Sequence, residues 1–98
     1  MKFKTEEVVI DDETFHVHEL SVRQRGEVIK LYQDGKASVM EIQARMVKMG
    51  CEEFEKVELE AIMDLPGTGV AQLSDTVTEL SGMGEKAKEV GDDAEKNS

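Results

Sequence analysis

Signals that begin and end helices divide this chain into short segments. Ser21-Val-Arg-Gln24 and Ser38-Val-Met-Glu41 are capping boxes, in which the serine hydroxyl can accept a hydrogen bond from the backbone N–H of the third helical residue. Gly35 is a natural left-handed stop after Asp34, and Gly50 and Gly82 are expected to end two further helices. The chain is therefore expected to form several short helices rather than a few long ones.

Four helices follow from these signals and from the turn at Leu65-Pro66-Gly67. They are expected at Ser21 to about Asp34, Ser38 to Gly50, Val57 to Asp64, and Pro66 or Thr68 to Ser81. The third helix is expected to bury Val57, Ala61 and Ile62. Gly26 lies inside the first helix, where it costs about 1 kcal/mol relative to alanine, so we expect it to allow another backbone to approach closely.

Three of these helices carry apolar residues at helical spacing. The stripe of helix 1 is Val22, Arg25, Ile29 and Tyr32, with Val28 beside it; that of helix 2 is Val39, Ile42, Met46 and Met49; that of helix 4 is Val70, Leu73, Val77 and Leu80. These stripes predict the faces along which the helices pack.

Residues 1–20 have the pattern of a β-hairpin. Residues 3–10 end in a β-branched run, and residues 14–20 alternate between two faces. The acidic residues 11–13 between them suit a short turn, although the Asn-Gly signal of the tightest hairpins is missing. Alternation places His16 and His18 on the face opposite Phe15 and Val17. A two-stranded hairpin is marginal in water, so we expect it to pack on the helices.

Length and composition limit the fold class. The chain has 98 residues, which suits one small domain. We expect a mainly α (α+β) domain over residues 1–81, with the hairpin at its start and a flexible, disordered, charged tail over 82–98. Cys51 is the one cysteine, so no internal disulfide supports the fold. With no apolar run of membrane-spanning length and no secretory h-region at the N-terminus, a cytoplasmic protein is expected.

The charge is strongly negative and unevenly distributed. The net charge is −10, which opposes nucleic-acid binding, yet basic residues outnumber acidic ones in residues 21–50. Acidic residues dominate between Glu52 and Asp64. The basic side chains could pair with carboxylates in the monomer, or the two regions could meet between subunits in weak head-to-tail self-association. They are Arg23, Arg25, Lys30, Arg45 and Lys48.

No combination of residues makes a case for an enzyme, a cofactor or a metal centre. His16 and His18 could supply two metal ligands from one strand face, but a third is not evident in the sequence. Cys51 precedes two glutamates that would raise its thiol pKa, so we expect a structural, buried cysteine. Gly67-Thr68-Gly69 lacks a phosphate-loop lysine and suits a helix entry, and Glu60 with Asp64 suits a solvated face.

The order of several short motifs resembles the tail assembly chaperones of long-tailed bacteriophages and prophages. The motifs are His18-Glu-Leu-Ser-Val-Arg-Gln-Arg25, Met49-Gly-Cys51, Phe54, Val57-Glu-Leu-Glu-Ala-Ile62, Leu65-Pro66, Thr78-Glu-Leu-Ser-Gly82 and the terminal Glu95-Lys-Asn-Ser98. The resemblance covers about residues 15–97. It departs from the family in having Leu80-Ser-Gly82 where Leu-Asn-Gly is common, and in a shorter middle loop.

The resemblance implies a non-enzymatic assembly factor. Such proteins bind the helical tape-measure protein, keep it soluble in the host cytoplasm, help tail-tube subunits polymerise around it, and are absent from the mature virion. Many are also made as a longer −1 frameshift product. Glu95-Lys96-Asn97 can be encoded by GAA AAA AAC, which contains the slippery heptamer A AAA AAC. The alternative is that other codons encode an ordinary solvated tripeptide. In the longer product, the tail would link to a second domain.

The candidate contacts with a tape-measure helix are apolar residues of helices 4 and 2, for which core packing is the alternative. They are Val70, Leu73, Val77, Leu80, Met46 and Met49.

A second hypothesis is a small acidic module or DNA mimic that inhibits a host protein. The acidic run from Glu52 to Asp64 motivates it, and the basic residues of the first two helices oppose it. A generic helical adaptor is the third.

Overall fold

The computed structural model describes residues 1–83 and confirms the mainly α fold with an N-terminal hairpin. Strands β1 and β2 span Thr5–Ile10 and Glu13–His18, and helices α1 to α4 span Val22–Asp34, Val39–Gly50, Leu59–Met63 and Gly67–Leu80. A 3₁₀ turn at Glu52–Phe54 leads from α2 towards α3. None of the helices in residues 1–83 is both long and apolar enough to span a membrane. The part of the predicted tail from residue 84 onwards, including Glu95, Lys96 and Asn97, lies outside the described residues.

The hairpin is tighter than the sequence predicts. Ile10 pairs with Glu13, which leaves only Asp11 and Asp12 in the loop. Both have positive φ angles, 52° and 66°, which is the backbone of a type I′ turn. Aspartate tolerates this left-handed conformation because its short polar side chain can hydrogen-bond locally. The turn therefore forms without the Asn-Gly pair that usually marks it.

The predicted signals at the start and end of α1 and at the end of α4 are those that the structure uses. At the start of α1, the Ser21 hydroxyl accepts from the Gln24 backbone N–H at 3.2 Å, and the Gln24 side chain accepts from the Ser21 N–H at 3.0 Å. Gly35 ends this helix with a φ of 65°. At the end of α4, Gly82 has a φ of 71°, and the Met83 N–H donates to the Thr78 carbonyl at 2.9 Å. Because Met83 also packs against the core, the folded unit extends past residue 81.

Helix α2 lies at the centre of the fold and contacts the other three helices. It buries Ile42, Ala44, Met46 and Val47. The hairpin closes the core with its inner face, where Phe15 stacks on Phe54 with ring centroids 5.6 Å apart. An isolated bridge between Val17 and Cys51 joins β2 to the residue that begins the 3₁₀ turn. Helix α4 packs on α2 and on both strands, so the hairpin gains the support that it needs.

Helix α3 is shorter than predicted. Val57 belongs to the preceding turn, where its N–H donates to the Phe54 carbonyl at 3.1 Å, and Glu58 is extended. Of the three residues expected to be buried, Ile62 is buried, Val57 is partly buried and Ala61 is exposed. A five-residue helix turns only one narrow face to the core, so the prediction for Ala61 was wrong.

The glycine that permits a close approach is Gly50, not Gly26. A Cβ built at Gly26 meets no atom within 4 Å, so the prediction of a close backbone contact there was wrong. A Cβ at Gly50 would lie 2.7 Å from Val77 Cγ2. The last turn of α2 therefore packs on α4 with no room for a side chain.

Candidate functional site

The residues predicted to contact a partner lie mostly in the core. Met46, Leu73 and Val77 are at most 2% exposed, and Val70 is 9% exposed. Leu80 and Met49 are partly buried against the same cluster. The apolar face of α4 packs between α2 and the hairpin, because a domain of this size has no other way to bury it. The alternative of core packing is thus the correct interpretation for Val70, Leu73, Val77 and Met46.

The apolar stripe of helix 1 is on the surface instead. We call Val22, Arg25, Ile29 and Tyr32 the α1 stripe. Val22 is 88% exposed, Ile29 44% and Tyr32 46%. The helix is held by Val28, which is fully buried, and by Leu31, which is partly buried. Since Val28 and Ile29 are adjacent, their side chains point about 100° apart around the helix axis, and burying one face exposes the other.

A groove of about 730 Å³ separates α1 from α2 and the segment that follows it. Apolar side chains from three parts of the chain line it, namely Leu31, Met49 and Leu59. Charged groups of both signs also line it: Lys30, Arg45, Lys48, Glu27, Asp34 and Glu55. Met49 is therefore the predicted contact residue that reaches this groove.

The basic residues of α1 and α2 are mostly not paired with carboxylates. Arg45 Nε bonds to Glu41 Oε2 at 3.0 Å, and Lys48 Nζ donates to backbone carbonyl groups of Glu55 and Val57. Within residues 1–83, the other three basic residues of the predicted set form no ion pair; they are Arg23, Arg25 and Lys30. The expectation that the basic region is neutralised in the monomer holds only for Arg45, so α1 presents free positive charge.

A second constellation connects β2 to the 3₁₀ turn. The His16 ring nitrogen Nδ1 lies 2.7 Å from Glu53 Oε2, and the His16 backbone N–H donates to Glu53 Oε1 at 2.7 Å. The other ring nitrogen, Nε2, is 3.6 Å from Glu7 Oε1 on β1. His18 does not join this group: its Nδ1 lies 2.8 Å from the Glu19 carbonyl oxygen. The sequence could not predict the pairing of His16 with Glu53, because 37 residues separate them.

These contacts shift the pKa values of both partners. The side-chain hydrogen bond to Glu53 is the main cause that raises the pKa of His16. Partial burial opposes ionisation of Glu53, but the hydrogen bonds from the His16 side chain and backbone outweigh it and lower the Glu53 pKa to about 2. The pair therefore carries opposite charges over a wide pH range.

The other residues considered for chemistry have structural roles. Cys51 is fully buried, as predicted, and burial raises its thiol pKa to about 12, so it is not a nucleophile near neutral pH. Gly67 begins α4 directly after Pro66, which confirms the helix-entry interpretation of Gly67-Thr68-Gly69. Glu60 and Asp64 are exposed, as expected for a solvated face.

Comparison of the chain with protein-family models, with curated proteins and with solved structures found no match.

Proposed function

We propose that this protein is a tail assembly chaperone of a long-tailed phage or prophage, which binds the tape-measure protein and keeps it soluble until tail-tube subunits assemble around it. The order of motifs from His18 to Gly82 supports this proposal. A −1 frameshift near Glu95, Lys96 and Asn97 would give a longer product. The chaperone acts in the host cytoplasm and leaves before the virion is complete.

The observation that carries the proposal is the exposed α1 stripe. Val22 and Ile29 present apolar surface on one side of α1, and the groove lined by Leu31 and Met49 lies on the other side of this helix. An amphipathic helix binds such surfaces through apolar residues three and four positions apart. A tape-measure chain exposes stripes of that kind before assembly, so the contact is assigned to the α1 stripe rather than to the buried face of α4.

Charge specifies the partner further. Arg25 lies within the α1 stripe and forms no ion pair within residues 1–83, so a tape-measure segment with an acidic residue beside its apolar stripe fits the α1 stripe best. The large negative charge of the whole chain would keep the complex soluble. The same basic surface argues against the DNA-mimic alternative, because a mimic of DNA needs an unbroken acidic face.

Co-expression with the tape-measure protein tests the proposal. Wild-type protein should keep the tape-measure protein in the soluble fraction and co-purify with it. The double variant Val22→Glu, Ile29→Glu should lose this interaction while its circular dichroism and melting temperature stay near wild type, because both side chains are exposed. Val9→Glu is the matched control, since Val9 is also an exposed valine, 63% accessible, but lies on the hairpin.

Two results would contradict the assignment. If the α1 double variant binds as well as wild type, the stripe is not the contact. If wild-type protein binds a host DNA-binding protein and not the tape-measure protein, the acidic mimic is the better hypothesis. The longer product is tested separately by sequencing codons 95–97 and the following −1 frame. If these codons do not form a slippery sequence but a long reading frame for a helical protein lies nearby, the chaperone proposal stands and the frameshifted product is ruled out.

A further inference from the structure

The outer face of β2 and the 3₁₀ turn bring together three side chains that are able to bind a metal ion. One donor atom from each of His16, Glu52 and Glu53 lies within 4.8 Å of the other two. Metal–ligand bonds of about 2.0–2.2 Å in tetrahedral geometry place the donors roughly 3.3–3.6 Å from one another. Small side-chain rotations would therefore be enough to place all three around one ion.

The backbone already holds this group in place. The His16 N–H fixes one oxygen of Glu53 at 2.7 Å, so the second oxygen faces the ring of His16. The bridge between Val17 and the buried Cys51 anchors the turn directly beside His16. A metal ion would therefore bind without first having to order a loop, which removes an entropic cost of binding.

Glu7 is placed near the second ring nitrogen of His16, where a carboxylate commonly supports a metal-binding histidine. It lies opposite His16 in the register of the hairpin, and its Oε1 is 3.6 Å from His16 Nε2. Histidines that bind a metal through one ring nitrogen commonly donate the other N–H to a carboxylate, which fixes the ring and its tautomer. Here Nδ1 faces Glu53 and Nε2 faces Glu7, so the two ring nitrogens have separate roles.

We propose that His16, Glu52 and Glu53 form a binding site for a divalent transition-metal ion of the zinc type, with Glu7 orienting the imidazole. An imidazole combined with carboxylates favours Zn²⁺, Ni²⁺ or Cu²⁺ over Mg²⁺ and Ca²⁺, which prefer oxygen ligands alone. The three ligands are exposed, so solvent completes the coordination shell. This site is independent of the α1 surface and of the proposed chaperone function.

His18 provides a matched control on the same strand face. Its Nδ1 is engaged by the Glu19 carbonyl oxygen, and its Nε2 is 3.7 Å from Glu55, outside the cluster. If two neighbouring strand histidines simply chelated the ion, His16 and His18 would contribute equally. The proposed site requires His16 and not His18.

Isothermal titration of the full chain with Zn²⁺ tests the proposal, with Mg²⁺ as a comparison. We expect one Zn²⁺ per chain, affinity reduced about tenfold or more in His16→Gln and in Glu52→Gln, and unchanged affinity in His18→Gln. Glu52→Gln is the more informative variant because the Glu52 side chain is exposed, so its loss leaves the fold intact; circular dichroism checks each protein.

Three outcomes would overturn the site. Wild-type protein that shows no saturable Zn²⁺ binding means that His16 and Glu53 form only an ion pair. Equal losses in His16→Gln and His18→Gln indicate chelation by the strand histidines. Binding that all variants retain, and that Mg²⁺ matches, indicates general attraction of cations to a chain of net charge −10.

Discussion

Replacing Gly50 by alanine tests how tightly α2 and α4 pack. Replacing a glycine that has helical backbone angles, as Gly50 has, by alanine normally stabilises a protein, because alanine restricts the unfolded chain and favours the helix. At Gly50 the added Cβ would lie 2.7 Å and 2.8 Å from the two γ-methyl carbons of Val77, and 3.1 Å from the His18 carbonyl oxygen. We therefore expect the opposite sign.

The magnitude follows from how little these neighbours can yield. Val77 is completely buried, and a valine in a helix has essentially one χ1 rotamer, so its methyl groups cannot turn away. Restoring ordinary contact would require a displacement of roughly 0.7 Å between α2 and α4, and the His18 carbonyl is backbone. Overpacking of this kind costs about 1–3 kcal/mol, against a gain of at most about 1 kcal/mol from helix propensity. With a mid-range cost of about 2 kcal/mol and a gain of about 1 kcal/mol, the net expectation is destabilisation by about 1 kcal/mol.

Urea unfolding followed by far-ultraviolet circular dichroism measures this change. Gly26→Ala is the control, because the new Cβ meets nothing within 4 Å, and it should stabilise the fold by about 0.5–1 kcal/mol. In a Val77→Ala background, Gly50→Ala should lose most of its cost, since the clashing methyl groups are gone. A Gly50→Ala protein as stable as wild type would refute the reasoning.

The remaining predictions concern two long-range hydrogen bonds. Glu53→Gln should lower the melting temperature most between about pH 4.5 and 6.5, measured with a chelator present. Because the pKa of Glu53 is lowered to about 2 in the folded protein, the stability that its charge contributes is lost as the pH falls below 4.5. Because the pKa of His16 is raised, the stability that the charged imidazole contributes is lost as the pH rises above 6.5. A difference between the two proteins that does not vary with pH would contradict this. Ser81→Ala should destabilise the fold by about 1–3 kcal/mol in urea unfolding, because the buried Leu20 N–H donates to Ser81 Oγ at 2.8 Å and would lose its partner. Thr76→Ala is the control, because it removes an exposed hydroxyl that donates to a carbonyl group of its own helix. Equal effects of the two changes would show that burial of the Leu20–Ser81 hydrogen bond does not add to its stabilising effect.

Local signals predicted much of the fold. The helix starts at Ser21 and Ser38 and the ends at Gly35, Gly50 and Gly82 depend on hydrogen bonds between residues at most five apart, so a short stretch of sequence contains all the partners. Alternation in β2 likewise predicted that Phe15 and Val17 face the core while His16 faces out. Burial of Cys51 was also predicted correctly from its neighbours.

The candidate sites were harder to predict because they depend on which face each helix buries. The stripes of α1 and α4 have the same spacing in the sequence, yet Val77 is fully buried and Ile29 is 44% exposed. Arg25 in the middle of the α1 stripe was the one available signal that this face is exposed to solvent.

The sequence by itself determined where α1, α2 and α4 begin and end, because those limits are set by neighbouring residues, but it did not determine the start of α3 or the two-residue turn of the hairpin. Only the tertiary structure decided that α4 packs inward while the α1 stripe stays exposed, and that Glu53 meets His16. Periodicity shows that a helix has an apolar face, but the position of the rest of the chain decides whether that face is covered.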